Sequence, residues 1–245
     1  MKNLDGRLAD AIKHFWKTRL RQDRNQGTRT GRRDHGNRAS ATGGKQLDGF
    51  NHLIRDLLVE SGIPEDCVYL NGRRDVTIPG FFRPTKQWDV LVVSRGCLLA
   101  AVECKALCGP SFGNNYNNRV EEALGSAVDL WTAYRENAFG RSSRPFLGYI
   151  LLLEQALEST RPVSVVEQHF PVFEEFQGAS YEIRCTETLL RLLRERSYDA
   201  ASLIVAERNS GADGQYAEPA PELNFERFAT LMCGHVRTAY DTIAG

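Results

Sequence analysis

The sequence predicts a mixed α/β fold in which helices flank a central mixed β-sheet. Two dense apolar runs, residues 88–93 and 98–102, are divided by a short turn and predict a β-hairpin. A third apolar run, 146–154, is typical of a buried strand. Between them, apolar residues recur at spacings of three and four over 119–136, which predicts a helix whose buried stripe is Val120, Leu124, Ala127, Trp131 and Tyr134. A hairpin followed by a helix and another strand favours a mixed sheet with helices on its faces.

The remaining elements follow from the same periodicities and from turn residues. Helical spacing predicts a first amphipathic helix over 3–20 and a second over 47–61, which ends at Gly62 and Pro64. Residues 108–118 are rich in Gly and Asn and are expected to form a loop. The other predictions are short strands at 67–70 and 76–78, a loop at 81–84, a helix at 186–196, a strand at 202–206 and a closing helix at 225–240, with 155–183 left unassigned.

The length of 245 residues suits a single domain over residues 1–245. No apolar run is long enough to cross a membrane, and the first residues lack the apolar core of a signal peptide. We therefore expect a cytoplasmic protein without a membrane partner. The predicted parts are an N-terminal helix (1–20), a basic flexible arm (21–46), a catalytic core (47–154) and a C-terminal part that completes the fold (155–245).

A zero net charge hides a basic segment. Residues 17–45 hold nine basic and two acidic side chains, a net charge of +7, and only one large apolar residue, Leu20. Such a segment has little apolar surface to bury, so we predict a mobile arm that neutralises phosphates and orders on nucleic acid. The alternative is a solvated linker whose charge has no role. The candidate phosphate contacts here are Arg32, Arg33, Arg38 and Lys45.

The sequence lacks the motifs of several classes of metal-binding proteins and enzymes. The six cysteines include no CxxC pair, so we expect reduced, packed thiols and no structural zinc. The chain also contains no HExxH, no GxSxG and no Walker-type phosphate loop. Zinc peptidases, serine hydrolases of that type and P-loop enzymes are therefore disfavoured.

Three charged residues stand at the ends of the two most apolar strands: Asp89, Glu103 and Lys105. Burying such charges costs several kcal/mol per ion unless they are paired or bind a metal. If the hairpin loop has three residues, Ser94 pairs with Leu98 and Asp89 faces Glu103 directly. A two-residue loop would break this facing unless a bulge intervenes. Two facing carboxylates can share one Mg²⁺, and Lys105 lies on the same strand face as Glu103.

The choice of lysine at position 105 supports a chemical role. The chain has 6 lysines against 25 arginines, and after residue 45 only Lys86 and Lys105 occur. A compact ammonium beside a phosphodiester can orient or help deprotonate the attacking water and offset charge in the transition state. The alternative is an ordinary salt bridge between Glu103 and Lys105 at the end of a strand.

The arrangement of Asp89, Glu103 and Lys105 resembles that of the PD-(D/E)xK nuclease superfamily. The flanking sequence resembles that of the XhoI-type type II restriction endonucleases. The resemblance rests on three further segments: 42–50 (TGGKQLDGF), 82–89 (FRPTKQWD) and 111–123 (SFGNNYNNRVEEA). It implies a restriction-endonuclease-like core and Mg²⁺-dependent double-strand cleavage of the palindrome CTCGAG after its first C. One departure is that Trp88, and not proline, precedes the motif aspartate.

The resemblance also implies roles for individual residues. Asp89 and Glu103 correspond to the metal ligands and Lys105 to the catalytic lysine. The backbone carbonyl of Cys104 is a further candidate ligand. Members of the superfamily often add a glutamate from the helix before the sheet, for which Glu60 is the candidate. A solvated carboxylate at the helix end is the alternative for Glu60.

Candidate DNA contacts lie on both sides of the motif. Asparagine amides can bond adenine and arginine can bond guanine, so a DNA-facing loop is predicted at Asn114, Asn115, Asn117, Asn118 and Arg119. The alternative is that this asparagine cluster supports turns and caps the helix. Candidate phosphate contacts before the motif aspartate are Arg83, Lys86 and Gln87.

A palindromic target cut on both strands needs two sites related by a two-fold axis, so we expect a homodimer on double-stranded DNA. The functional counterpart is a DNA methyltransferase, with no stable complex. Two other functions remain open at this point. One is a structure-selective repair or junction nuclease of the same fold, and the other is a DNA-binding protein without catalysis.

Overall fold

Two helices precede five strands, and further helices and strands follow, in the part of the chain that the computed structural model describes. That part is residues 1–30, 38–71, 76–140 and 143–244, with the side chains of 25–44 and 244 outside the description. The helices are Leu4–Thr30 (α1), Arg38–Glu60 (α2), Phe112–Arg135 (α3), Leu157–Thr160 (α4), Tyr181–Arg194 (α5), Arg208–Gly211 (α6) and Phe225–Ala244 (α7). The strands are Val68–Leu70 (β1), Thr77–Pro79 (β2), Thr85–Gln87 (β3), Val90–Ser94 (β4), Cys97–Leu107 (β5), Phe146–Gln155 (β6) and Ala200–Glu207 (β7).

The central sheet has five strands in the order β1-β4-β5-β6-β7. Strands β1, β4 and β5 pair antiparallel, whereas β5, β6 and β7 pair parallel. The parallel connections run through α3 and α5, as crossover connections require. The predicted class, α/β with a mixed sheet between helices, is confirmed. A separate two-stranded sheet, β2-β3, leads directly into β4.

Each face of the sheet has its own apolar core. Helices α1, α2 and α7 enclose one core, which includes Trp16, Phe50 and Phe228. Helices α3 and α5 enclose the other, which includes Trp88 and Phe112. Alternation along β5 separates the two cores, and the side chains of odd-numbered residues from 101 to 107 point to the α3 and α5 face.

The turn between β4 and β5 corrects one prediction. Ser94 pairs with Cys97, and not with Leu98, because the turn has two residues. These are Arg95 and Gly96, whose φ angles of 49° and 74° are both positive. Two-residue turns of this kind match the right-handed twist of the flanking strands, which explains the tighter loop.

The basic arm is also corrected. We predicted flexible chain over 21–46, but α1 continues to Thr30 and α2 already begins at Arg38. The two helices pack against each other, and the ring of His14 contacts the carbonyl of Lys45 at 3.0 Å. The apolar residues that pack α1 and α2 into the core, such as Trp16 and Phe50, lie outside 21–46. The composition of the segment therefore did not reveal that both helices continue into it. Residues 31–37 lie outside the described part of the chain.

Helix α3 differs from its prediction at its start and in its buried side. It begins at Phe112, so residues 112–118, predicted as loop, are helical. We expected Leu124 on the buried stripe, but it is exposed. Small residues face the sheet instead and let the helix approach closely, and the buried set is Phe112, Ala123, Ser126, Ala127, Asp129, Leu130 and Ala133.

Among the described helices, none combines the length and apolar character that crossing a membrane demands.

Candidate active site

The β4–β5 hairpin brings the two candidate metal ligands face to face. The N–H of Asp89 donates to the carbonyl of Val102 at 3.3 Å. The Oδ2 atom of Asp89 accepts the backbone N–H of Cys104 at 2.8 Å. Asp89 is thus bonded to both neighbours of Glu103, and the two carboxylates lie on the same side of the sheet.

A β-bulge produces this facing. Near the turn, Val93 pairs with Leu98, a register that would place Asp89 opposite Val102, one residue short of Glu103. The next pair is Val92 with Ala100, so Leu99 is the extra residue. The bulge restores the register that the carboxylate pair needs. The facing was predicted for a three-residue loop, and the structure reaches it by a tighter turn and a bulge.

Glu103 is buried, and two lysines neutralise it. The Nζ atom of Lys105 contacts its Oε1 atom. The Nζ atom of Lys86 lies 2.7 Å from its Oε2 atom and 4.2 Å from the ring centroid of Trp88. Both ammonium groups are largely shielded from solvent. Each oxygen of this carboxylate therefore has its own cation.

The environment shifts the pKa values of two of these groups. Burial, and then repulsion by Glu103, raise the pKa of Asp89 to about 6. Burial by itself would lower the pKa of Lys105, but attraction by Glu103 and Asp89 outweighs it, so that pKa is raised. Lys105 is consequently an ammonium ion at neutral pH, and Asp89 gains a proton in mildly acidic solution.

The donors present fit a small divalent cation. Two carboxylates with a neighbouring backbone carbonyl, Cys104, are oxygen ligands, and Mg²⁺ in proteins usually keeps several waters. Within the described residues, no cluster of three His, Cys, Asp or Glu side chains is arranged to hold a metal. The thiol of Cys104 is buried on the opposite face, where burial raises its pKa well above the usual value, so it is no ligand.

Glu60 is not brought to this pair. Its Oε1 atom lies 2.8 Å from Nη1 of Arg7. It lines a surface pocket of about 740 Å³ at the end of α2, next to Cys233 of α7. That is the face of the sheet covered by α2 and α7, whereas Glu103 points to the α3 face.

The predicted DNA contacts of 114–119 lie on the first two turns of α3. Asn114 and Asn117 are exposed, and Asn118 is half-buried. Asn115 donates to the carbonyl of Cys108 at 2.9 Å, which fixes the start of the helix. Arg119 is paired with Glu122 at 2.7 Å. Asn114 and Asn117 are therefore the most accessible of the five predicted contacts.

The other predicted contacts are spread more widely. Gln87 is exposed and bonds Asn71 at 3.0 Å, and Lys45 is exposed on α2. Arg83 is exposed but pairs with Asp129. Lys86, predicted as a phosphate contact, lies inside the carboxylate cluster instead. Arg32 and Arg33 fall outside the described residues, as does the side chain of Arg38.

The sequence reasoning missed Asp129. Its Oδ1 atom accepts the backbone N–H groups of Phe81 and Phe82 at 2.7 Å each, and its Oδ2 atom accepts from Arg83 at 2.8 Å. A Cβ atom on Gly80 would lie 2.3 Å from the same carboxylate. An aspartate on the apolar side of a helix was the available signal. It anchors the loop that leads into β3 and Lys86.

A hairpin that carries a carboxylate pair and a lysine, at the junction of antiparallel and parallel strands, defines a nuclease of the restriction-endonuclease type. The chain belongs to the XhoI restriction endonuclease family, whose family model matches residues 26–218. The enzyme is therefore a type II restriction endonuclease, and enzymes of this class act on double-stranded DNA and generally need a divalent metal.

Curated relatives support the same assignment. The chain is similar to the type II restriction enzyme BstVI of Geobacillus stearothermophilus, with 47% identity over 84% of this chain and 93% of the relative. It is 43% identical to the type II restriction enzyme XhoI of Xanthomonas vasicola, over 74% of this chain and 73% of the relative. It is 42% identical to the type II restriction enzyme AbrI of Azospirillum brasilense, over 69% and 75%. No solved structure matches the chain.

The comparisons confirm the predicted family and enzyme class. They also decide between the functions that the sequence left open, because the relatives are named as restriction enzymes and not as repair nucleases or passive DNA-binding proteins.

Proposed function

We propose that the enzyme cuts both strands of DNA at the palindrome CTCGAG, after the first C, in a Mg²⁺-dependent reaction. The resemblance to XhoI-type enzymes supplies the target, and family membership supports it. The observation that carries the chemistry is the hydrogen bond that fixes Asp89 opposite Glu103, with Lys105 in contact with that glutamate.

The metal, when held by Asp89, Glu103 and the Cys104 carbonyl, would supply an activated water and offset charge on the phosphate. The protein contributes orientation. The N–H of Cys104 holds Oδ2 of Asp89 and leaves Oδ1 free of that bond. The pairing with β5 fixes the separation of the two carboxylates, because neither residue can shift without breaking the strand ladder.

Lys105 acts in its ammonium form. Its Nζ atom contacts Oε1 of Glu103. In this position the ammonium can donate hydrogen bonds to a non-bridging phosphate oxygen and to the attacking water. Because attraction by two carboxylates raises its pKa, it serves as a fixed positive charge rather than as a base. The negative charge that builds up on the phosphate is then stabilised where it forms.

The biological unit that we propose is a homodimer of one-domain subunits on duplex DNA, since a palindrome presents two equivalent scissile bonds. Exposed Asn114 and Asn117 on α3 and Gln87 on β3 would contact the DNA. The cellular counterpart is a methyltransferase that modifies the same sequence in the bacterial cytoplasm, without a stable complex.

Digestion of a plasmid that carries one CTCGAG site tests this proposal. We expect a single linear product with Mg²⁺, no product with a chelator, and four-base 5′ overhangs when the ends are sequenced. The matched control is the same plasmid with one base pair of the site changed, which we expect to remain uncut. Random fragmentation, or cleavage at another discrete site, would refute the proposed target.

Lys105→Ala tests the assignment of the catalytic lysine. Loss of one transition-state donor of this kind typically lowers kcat by about 10²–10³-fold. Binding of the target in Ca²⁺ should change by only a few fold, because the lysine is shielded beside Glu103. The control is Lys2→Ala, which removes an exposed lysine outside the basic segment 17–45. Cleavage at the wild-type rate by Lys105→Ala would remove this residue from the mechanism.

A further inference from the structure

An exposed apolar stripe runs along α3. Leu124 and Val128 are 45% and 52% exposed, one helical turn apart. Gly125 lies between them, and a Cβ atom there would meet nothing within 4 Å. Glycine is disfavoured inside a helix, so an open glycine beside two exposed aliphatic residues suits the close approach of another surface.

Two exposed phenylalanines lie in the loop that Asp129 of α3 holds. Phe81 and Phe82 are 53% and 67% exposed, and their ring centroids lie 5.1 Å apart. Asp129, the residue next to Val128, holds the backbone N–H groups of both. These bonds fix the backbone of the loop beside α3. We call Phe81, Phe82, Leu124 and Val128 the α3 patch.

Four large exposed apolar side chains, two on α3 and two in the loop beside it, mark an interaction site. We propose that the α3 patch is the surface through which two copies of this chain pair about a two-fold axis. The inference rests on the proposed function, in which a palindromic target is cut by two identical active sites. It adds the place where the copies meet.

The charges at the two ends of the stripe favour a second copy as the occupant. Glu121 and Arg135 are both exposed on the same side of α3 as Val128, seven residues before it and seven after it. In an antiparallel pair of α3 helices centred on Val128, Glu121 of each copy faces Arg135 of the other. Leu124 then faces Thr132. A two-fold interface uses the same patch twice, and this stripe is complementary to itself.

Duplex DNA is a less suitable occupant for this surface. DNA-binding surfaces are polar and strongly positive, whereas the stripe carries apolar groups and one residue of each charge. A different exposed apolar set, which includes Phe170 and Phe173, lies in the irregular segment after β6. It provides a control, because its side chains are even more exposed than those of the α3 patch.

Sedimentation velocity of the full-length protein tests the proposal, without DNA and with target duplex in Ca²⁺. We expect the wild type to be a dimer. The double variant Leu124→Glu/Val128→Glu should stay monomeric at concentrations at least 100-fold above the lowest concentration at which the wild type is dimeric. Both positions are exposed, so the subunit should keep its circular dichroism spectrum and melting profile. The control Phe170→Glu/Phe173→Glu should remain a dimer.

A charge exchange tests the antiparallel register. Glu121→Arg and Arg135→Glu should each raise the dimer dissociation constant several fold, and the double exchange should restore it. The proposal is overturned if the wild type is monomeric under both conditions, or if the control dissociates while Leu124→Glu/Val128→Glu stays dimeric. It is also overturned if Leu124→Glu/Val128→Glu stays dimeric and loses only DNA affinity, because the α3 patch would then be a DNA-binding surface. Wild-type plasmid cleavage, measured in parallel, separates these outcomes from failure of the proposed target.

Discussion

Lys86 is the site residue whose observed contacts differ most from those predicted from the sequence. As a predicted phosphate contact it would point to solvent, but its Nζ atom lies 2.7 Å from Oε2 of Glu103, the oxygen that Lys105 does not contact. A cation that binds Glu103 must compete with this ammonium. DNA offers a phosphate as the alternative partner for the lysine, so metal binding and DNA binding should favour each other through Lys86.

We expect Lys86→Met to bind Mn²⁺ more tightly than the wild type when DNA is absent, by about tenfold if one charge-assisted hydrogen bond is removed. The methionine can keep the contact with Trp88. Isothermal titration with Mn²⁺ measures the affinity, and Lys17→Met is the control. Unchanged or weaker Mn²⁺ binding by Lys86→Met would contradict competition at Glu103.

Asp89 should make the metal-free protein less stable as the pH rises. Its pKa is raised from 3.8 to about 6 by burial and by Glu103, so the folded state holds a proton that the unfolded chain releases. The stabilising effect of that proton is complete below pH 4 and is lost as the pH rises through 6. An active site that needs two charged carboxylates thus costs folding energy.

Asp89→Asn should therefore be more stable than the wild type at pH 7.5 in the presence of a chelator. The gain is at most about 3 kcal/mol, with about 2–4 °C in Tm for each kcal/mol at this chain length. Asparagine can still accept the N–H of Cys104. The gain should vanish near pH 4, and Asp10→Asn, on the surface, should show neither effect. A variant that is less stable at pH 7.5 would refute this account.

Among the elements, α3 has three separate tasks. Its N-terminal turns present Asn114 and Asn117, its small buried residues pack on the sheet, and Asp129 in its middle anchors the loop before β3. Burial alone would raise the pKa of Asp129, but hydrogen bonds from the backbone of Phe82 and from Arg83 lower it. The carboxylate therefore stabilises the fold above its unfolded pKa, and this contribution is lost as the pH falls.

Asp129→Asn should lower the free energy of unfolding by about 2 kcal/mol at pH 7, because hydrogen bonds to a buried charge are weakened. The difference from the wild type should shrink as the pH is lowered through 4. Because the loop leads to Lys86, cleavage should also fall. Thermal melts at pH 7 and pH 3.5 measure the effect, and equal stability at pH 7 would show that the loop is held by other contacts.

For the whole molecule, the uneven charge distribution predicts how DNA binding depends on salt. Residues 17–45 carry a net charge of +7, and the rest of the chain carries a net charge of −7. Although the structure replaces most of the predicted flexible arm by the ends of α1 and α2, the net charge of this segment is unaffected. It remains the main candidate for contacts with phosphate.

The triple variant Arg32→Ala/Arg33→Ala/Arg38→Ala should weaken binding to specific and nonspecific duplexes alike. The slope of log K against log salt should become shallower by about 2 to 3, as expected for three lost phosphate contacts. Fluorescence anisotropy over a salt series gives the slope. The control removes three exposed arginines elsewhere, Arg191, Arg194 and Arg227. Equal slopes for the two variants would refute a special role for the segment.

The sequence by itself determined the hairpin, the two strands after it and the grouping of Asp89, Glu103 and Lys105. These features depend on local periodicity, because strand alternation and a turn fix which side chains share a face. The family resemblance added the expected target, which no periodicity contains.

The tertiary structure decided the features that join distant segments. The bulge at Leu99 sets the register, since a tight turn and two buried strand faces must be satisfied together. Lys86 reaches Glu103 across 17 residues, and Asp129 holds Phe81 across 48. Which side of α3 is buried also depends on how closely the sheet can be approached, so Leu124, apolar by sequence, is left at the surface. Packing and long-range hydrogen bonds, and not local preference, made these choices.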